Sequence, residues 1–447
     1  MSVRFDEALA GWLQEVEAAL AGERAATGQV IIVRDLRGRM RLVLERSPER
    51  PEALAALQAR LDEAAGPFAG GPPLVAADLL APEAVLRSPD LHVVPGCSRV
   101  QLLERTVTGA DWTRPPLPDA APSIPRATLY GIKGGVGRSL ALCAWAHYLA
   151  RQGKKVLCVD LDLESPGISS TLLPAEASAD FGVVDWLVED AVGNADDTLV
   201  RLMAAQSPLA AGTPGSILVV PCGGSTEIAR SADGYMAKLA RAYIDLPRSA
   251  GSVESFADRL ARMLDALEAE HRPEVVLLDS RAGLHDIAAV AITRLAAMSF
   301  LFAIGNRQTW DGYRKLLSQW QHQPQIGGEV RRRLRVVAAQ VPETGREAYL
   351  RQFELDAYSL FAETLYEEAA AENLGAFNFD KNDPDAPHFR LPIYWSRALQ
   401  EWNPLSDAVT LEQHEAAFGS FLPVATEQLL AGEPAGLAPF ADQEGLP

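Results

Sequence analysis

The chain has 447 residues, 48% of them hydrophobic, and a formal net charge of −18. That length and apolar share allow two or three packed units, and the acidic balance disfavours broad adhesion to nucleic acid or anionic lipid. No apolar run approaches the roughly 18 residues of a membrane helix, and acids stand where a signal peptide is apolar, so a cytoplasmic protein with no membrane partner is expected. The four cysteines, Cys97, Cys143, Cys158 and Cys222, lie far apart with no Cys-x-x-Cys pair. This spacing speaks against a disulfide framework, a zinc knuckle or a bridging iron–sulfur cluster.

Residues 1–110 read as a small α+β module. A helical period covers 5–20, β-rich runs follow at 29–33 and 40–44, a helix is expected near 51–64 and a strand at 99–107. No catalytic cluster is legible in this module. Residues 111–125, DWTRPPLPDAAPSIP, hold five prolines and predict an extended linker. From 126 to 428 short apolar strands alternate with helices, at 127–131, 156–160, 217–221, 275–279, 300–305 and 334–340. That rhythm predicts an α/β fold with a doubly wound, mainly parallel sheet, whose ligands lie beyond the carboxyl ends of the strands. The tail 429–447 is acidic, interrupted by Pro and Gly and free of Lys and Arg, which predicts disorder.

A strand, a glycine-rich turn, a helix and a second strand follow one another through ATLYGIKGGVGRSLALCAWAHYLARQGKKVLCVD. Gly134, Gly135 and Gly137 let the backbone curl so that its N–H groups converge on anionic oxygens, and the positive end of the next helix adds to the potential. Arg138 brings a cation and Ser139 a hydroxyl suited to Mg²⁺, with Val136 and Leu140 completing the loop and the first helical turn. A glycine cluster alone marks a turn; strand, cation, hydroxyl and helix together point to a nucleotide phosphate site. Strand alternation places Asp160 and Asp162 on one side of the chain, and the apolar run in PEVVLLDSRAGLHD ends at Asp279.

Lys133-Gly134-Gly135-Val136-Gly137-Arg138-Ser139 resembles the deviant Walker A motif of the ParA/MinD P-loop ATPases, usually KGGxGK followed by Ser or Thr. The resemblance spans roughly residues 127 to 425 and leaves out the N-terminal module. It implies ATP and Mg²⁺ as ligands and a homodimer in the ATP state, with Lys133 reaching the partner's phosphates. It also implies that Asp162 positions the attacking water, that Ser139, Asp160 and Asp279 serve the metal, and that Lys133, Asp162 and Asp279 form the catalytic set. Gln340 falls where the family has an adenine-reading amide, and Leu391-Pro392-Ile393-Tyr394 resembles its late switch-like segment.

Two departures stand out. Arg138 replaces the family's second lysine, keeping the charge on a planar fork, which bears on hydrolysis. Ser280-Arg281-Ala282-Gly283 replaces the usual Pro-Pro-Gly-like turn, so Arg281 reads equally as a nucleotide- or partner-contacting cation or a surface arginine. His147 and His285 read as structural, and Arg331-Arg332-Arg333-Leu334-Arg335 as a solvated edge more than a nucleic-acid patch. The implied function is an ATP-binding, slowly hydrolysing dimerisation switch that regulates or positions a protein partner through the N-terminal module, in a setting such as DNA partitioning or bacterial defence. The alternative is a non-hydrolysing nucleotide-binding scaffold or adaptor.

Overall fold

Helix α1 (Phe5–Leu20) places Ala8, Trp12 and Val16 at helical spacing along one stripe, and α2 (Pro51–Ala65) answers with Leu57, Leu61 and Ala65. Both cover one face of a five-stranded sheet built from β1 (Val30–Arg34), β2 (Met40–Leu44), β3 (Leu74–Val75), β4 (Leu91–Val94) and β5 (Cys97–Glu104) in the order β3-β2-β1-β5-β4. Alternation sends Val30, Ile32, Leu42 and Leu102 toward the helices and Ile31, Val43 and Leu103 to the opposite face. These elements belong to residues 1–114, one of two units in this computed structural model; the other is 115–447. The structure describes residues 3–20, 27–48, 51–88, 90–94, 97–114, 124–225, 234–247, 253–321, 323–368, 376–399, 402–405 and 411–431.

The linker expected at 111–125 starts too early. Ala110–Trp112 forms a helical turn with Asp111 and Trp112 buried, and Arg114 is held by Asp111 at 3.2 Å and Asp90 at 2.7 Å. Burial of an indole and a guanidinium between two carboxylates anchors this stretch to the first unit. Residues 115–123 of the expected linker lie outside the described residues.

The second unit is organised by an eight-stranded sheet of order β15-β14-β13-β6-β12-β7-β9-β8. Its strands are β6 (Arg126–Gly131), β7 (Lys155–Leu161), β8 (Ala205–Gln206), β9 (Ser216–Val220), β12 (Val275–Ser280), β13 (Met298–Ala303), β14 (Leu334–Val341) and β15 (Leu391–Tyr394); β10 (Leu246–Pro247) and β11 (Val253–Glu254) pair apart from it. Neighbours run parallel except β8, which is antiparallel to β9. Every residue of β6, β12 and β13 is buried, as parallel strands covered on both faces require. One face holds α3 (Arg138–Arg151); the other holds α4 (Val183–Ala191), α5 (Gly234–Ala242) and α6 (Phe256–His271). Because β6 continues to β7 on one side while β13 and β14 build the other, the turn after β6 sits at a topological switch point.

The terminal helices α7 (Leu411–Phe418) and α8 (Leu422–Ala431) close over α3. Leu429, read as the start of the tail, is buried in the last turn of α8, and residues 432–447 lie outside the described residues. The arginine run is not a solvated edge. Arg331 donates to Leu365 O and stacks on Phe377 at 4.3 Å, Arg333 donates to the Ala296 and Thr293 carbonyls, and Arg335 is 3% exposed. These guanidinium groups satisfy chain ends that would otherwise lack donors.

Candidate functional site

The loop after β6 owes its path to glycine. A Cβ at Gly131 would come within 3.1 Å of Lys133 O and of Val136 Cγ2, a tight approach that glycine relieves where the chain folds back on itself. Gly135 and Gly137 take φ of 73° and 85°, the left-handed region that side chains disfavour. Gly137 caps α3, whose first-turn N–H groups, those of Arg138, Ser139 and Leu140, have no partner one turn back and face outward with the helix's positive end. Val136 is buried and anchors the loop, while Lys133, Gly134 and Gly135 are exposed.

Two carboxylates lie beside this loop because β7 and β12 are neighbours in a register that sets Asp160 directly opposite Asp279. Ser139 Oγ donates to Asp279 Oδ2 at 2.7 Å, and Asp279 Oδ1 is buried with no hydrogen-bond partner. Burial, reinforced by the Asp160 carboxylate, pushes Asp279 up to about 7. Asp160 is also raised by burial, yet its oxygens are engaged within its own loop. Oδ1 accepts from Asp162 N at 3.3 Å, and Oδ2 from Gly167 N at 3.2 Å and Ser169 Oγ at 3.1 Å. Asp160 therefore shapes the turn that presents Asp162, and Cys222 Sγ closes that turn from behind on the Asp160 and Asp162 carbonyls.

The free oxygen of Asp279 and the Ser139 hydroxyl fit a hard cation. Among the described residues no three His, Cys, Asp or Glu side chains gather into a metal-ligand set. A magnesium ion here would take its other ligands from phosphate and water, as that ion commonly does.

Arg138, read in the sequence as a phosphate-binding cation, is turned inward. It is 7% exposed, donates from Nη1 to Ser280 O, and brings Nη2 to 3.9 Å from Asp162 Oδ2. Its charge is thus turned toward the strand ends, where it joins the loops after β7 and β12. Gln340 lies in the left-handed region at φ 55°, and its Nε2 donates to Gly135 O at 2.8 Å, tying β14 to the phosphate loop. Beside it opens a cavity of about 580 Å³ lined by Leu140, Tyr394, Trp395, Ser396 and Trp402 as well as the loop. Trp395 and Trp402 were not singled out in the sequence, although two tryptophans soon after Leu391–Tyr394 are an aromatic signal that could have marked them.

Arg281 and His285 converge on Glu164. Arg281 forms an ion pair with it, His285 Nε2 lies 3.3 Å from Oε1, and Tyr243 Oη donates to the same oxygen at 2.6 Å. Sequence reading gave Glu164, in the Asp-x-Asp-like segment, no role of its own and did not single out Tyr243, because no local spacing connects the two. His147 stands apart, its ring 6.3 Å from His414; burial lowers both imidazoles, His414 to about 4.

Residues 127–339 match the family model described as the CobQ/CobB/MinD/ParA nucleotide binding domain. No curated protein matches the chain. Among solved structures it is similar to pNOB8 ParA bound to nonspecific DNA, at 15% identity over 69% of this chain and 99% of that one with a TM-score of 0.40. A putative plasmid partition protein from Borrelia burgdorferi B31 bound to AMPPNP shares 13% identity over 68% of this chain and 100% of that one, TM-score 0.41. MinD in the MinC:MinD cell division complex of Aquifex aeolicus gives 15% identity over 51% and 72%, TM-score 0.32. With its glycine loop at the switch point of a parallel sheet and paired aspartates on the adjoining strands, the second unit carries a P-loop nucleotide-binding domain of the CobQ/CobB/MinD/ParA family.

Proposed function

We propose that the chain is an ATP- and Mg²⁺-dependent dimerisation switch that hydrolyses ATP slowly and acts on a protein partner through its first unit. The observation that carries this reading is the Ser139 hydroxyl 2.7 Å from Asp279, whose second oxygen is buried without a partner, at the mouth of the glycine loop. The N–H groups from Gly134 to Leu140 hold phosphate oxygens, and Ser139 and Asp279 would hold a magnesium ion, which would supply neutralisation of phosphate charge. Asp162, braced by Ser165 Oγ at 2.8 Å, orients the attacking water. The Lys133 ammonium is exposed, with no ion pair among the described residues, and is available to a second copy's phosphates. The aromatic cavity beside Gln340 receives the base. Among the described residues no helix is long and apolar enough to cross a membrane.

Arg138 favours a second reading, the non-hydrolysing scaffold. Its guanidinium is committed to Ser280 O and Asp162, where the family's lysine would meet phosphate. Calorimetry and sedimentation velocity separate the possibilities. ATP·Mg²⁺ is expected to bind the wild type and to bind Ser139→Ala at least about tenfold more weakly, the size of one lost charged contact. ATP is also expected to raise the sedimenting mass. Unchanged affinity in Ser139→Ala removes the loop as the site; binding without phosphate release or a change of mass leaves the scaffold.

A further inference from the structure

The two residues that follow Asp162 are held unusually firmly. Glu164 meets Tyr243, His285 and Arg281, and the preceding Leu163 carbonyl accepts from Tyr235 Oη at 2.5 Å. These contacts come from two separate parts of the fold. Tyr235 lies in α5 and Tyr243 directly follows it, whereas Arg281 and His285 follow β12. The segment after β12 is itself fastened to the end of the phosphate-loop strand. Gly283 N donates to Gly131 O at 3.1 Å, and Tyr130 Oη donates to Gly283 O at 3.1 Å.

Ion pairs on a solvated surface turn contribute little to holding it in place. Here the side chains of Glu164 and Arg281 are only 22% and 30% exposed, so the pair is partly desolvated. The loop consequently has two sides. Asp160 and Asp162 face Asp279 and Arg138, whereas Leu163 and Glu164 are gripped from α5 and from the segment after β12.

We propose that Arg281, His285, Tyr243 and Tyr235 are positioning residues that fix Asp162 by holding Leu163 and Glu164, linking the hydrolytic centre to helix α5. This rests on the reading of Asp162 as the water-orienting group. Arg281 is then neither a phosphate contact nor a free surface cation, because its charge is spent on Glu164.

The test uses the full chain. Glu164→Gln keeps the shape of the side chain and removes the charge on which its partners converge. Single-turnover phosphate release is expected to fall about tenfold while ATP affinity stays within about twofold, the pattern of displaced geometry. Arg281→Lys should recover most of the rate lost in Arg281→Ala. In an Asp162→Ala background Glu164→Gln should do nothing more, because both act through one group. A readout independent of turnover is amide hydrogen exchange of residues 161–167 in nucleotide-free protein, expected to be faster in Glu164→Gln. Equal rate losses in both backgrounds, a parallel loss of ATP affinity, or unchanged exchange overturns the proposal. If the wild type releases no phosphate, the hydrolytic reading falls separately, and the exchange comparison alone decides whether the grip holds the loop.

Discussion

Asp279 keeps a proton more tightly in the fold than in the unfolded chain, where an aspartate titrates near 3.8. For an acid raised to about 7 by burial and by Asp160, stability is greatest below the unfolded value and is lost as pH rises toward 7. Asp279→Asn has no such ionisation. In metal-free protein it is therefore expected to gain on the wild type across that window, reaching a few kcal/mol above pH 7, because each tenfold change in proton affinity is worth roughly 1.4 kcal/mol. Urea midpoints at pH 5 and pH 8 check this, and a gap of the same size at both values would contradict the buried-carboxylate account. Gly137→Val should cost on the order of 1–3 kcal/mol for placing a branched side chain at φ 85°. At this scale the phosphate loop was legible because its chemistry sits in consecutive residues. The grip on Glu164 was not, since Tyr243 is 79 residues away along the chain.

Among the elements, α3 links the phosphate loop to the core. Trp145 lies edge-on to Phe300 at 5.1 Å and Phe421 at 5.8 Å, and its indole N–H donates to Thr426 Oγ1 at 2.8 Å. Trp145→Ala should destabilise the second unit by about 3–5 kcal/mol. Thr426→Val, which leaves a buried donor unpaired, should cost about 1–3 kcal/mol. Urea unfolding followed by circular dichroism reads both; a loss under about 1 kcal/mol for Trp145→Ala would mean the ring is not central to this packing. The strands β6, β7, β12, β13 and β14 were legible as apolar runs bounded by turn residues, though the run expected at 300–305 is displaced to Met298–Ala303. Two-residue β8 was not, because its pairing with β9 comes from tertiary context and leaves no period to read. The arginine run misled for a related reason, as its partner carbonyls belong to Thr293, Ala296 and Leu365.

For the whole molecule, the division at 114 sets where the chain can be cut. A fragment of residues 1–114 is expected to fold alone and to melt higher than one ending at 110, which lacks buried Trp112 and the Arg114 contacts with Asp90 and Asp111. The complementary fragment 124–447 should bind ATP·Mg²⁺ like the full chain. Thermal melts and calorimetry test the pair. Equal melting of the two short fragments, or loss of nucleotide binding in the long one, would undo the boundary.

The central place of β6 also has a consequence for how the protein is made. Arg126 pairs with Val276, 150 residues later, and Ala127 with Met298. At roughly 5–20 residues per second, the ribosome needs about 8 to 30 s after making the strand before its first neighbour exists. During that interval the glycine loop has no sheet to hang from, so a nascent chain should be blind to ATP until translation has passed β13.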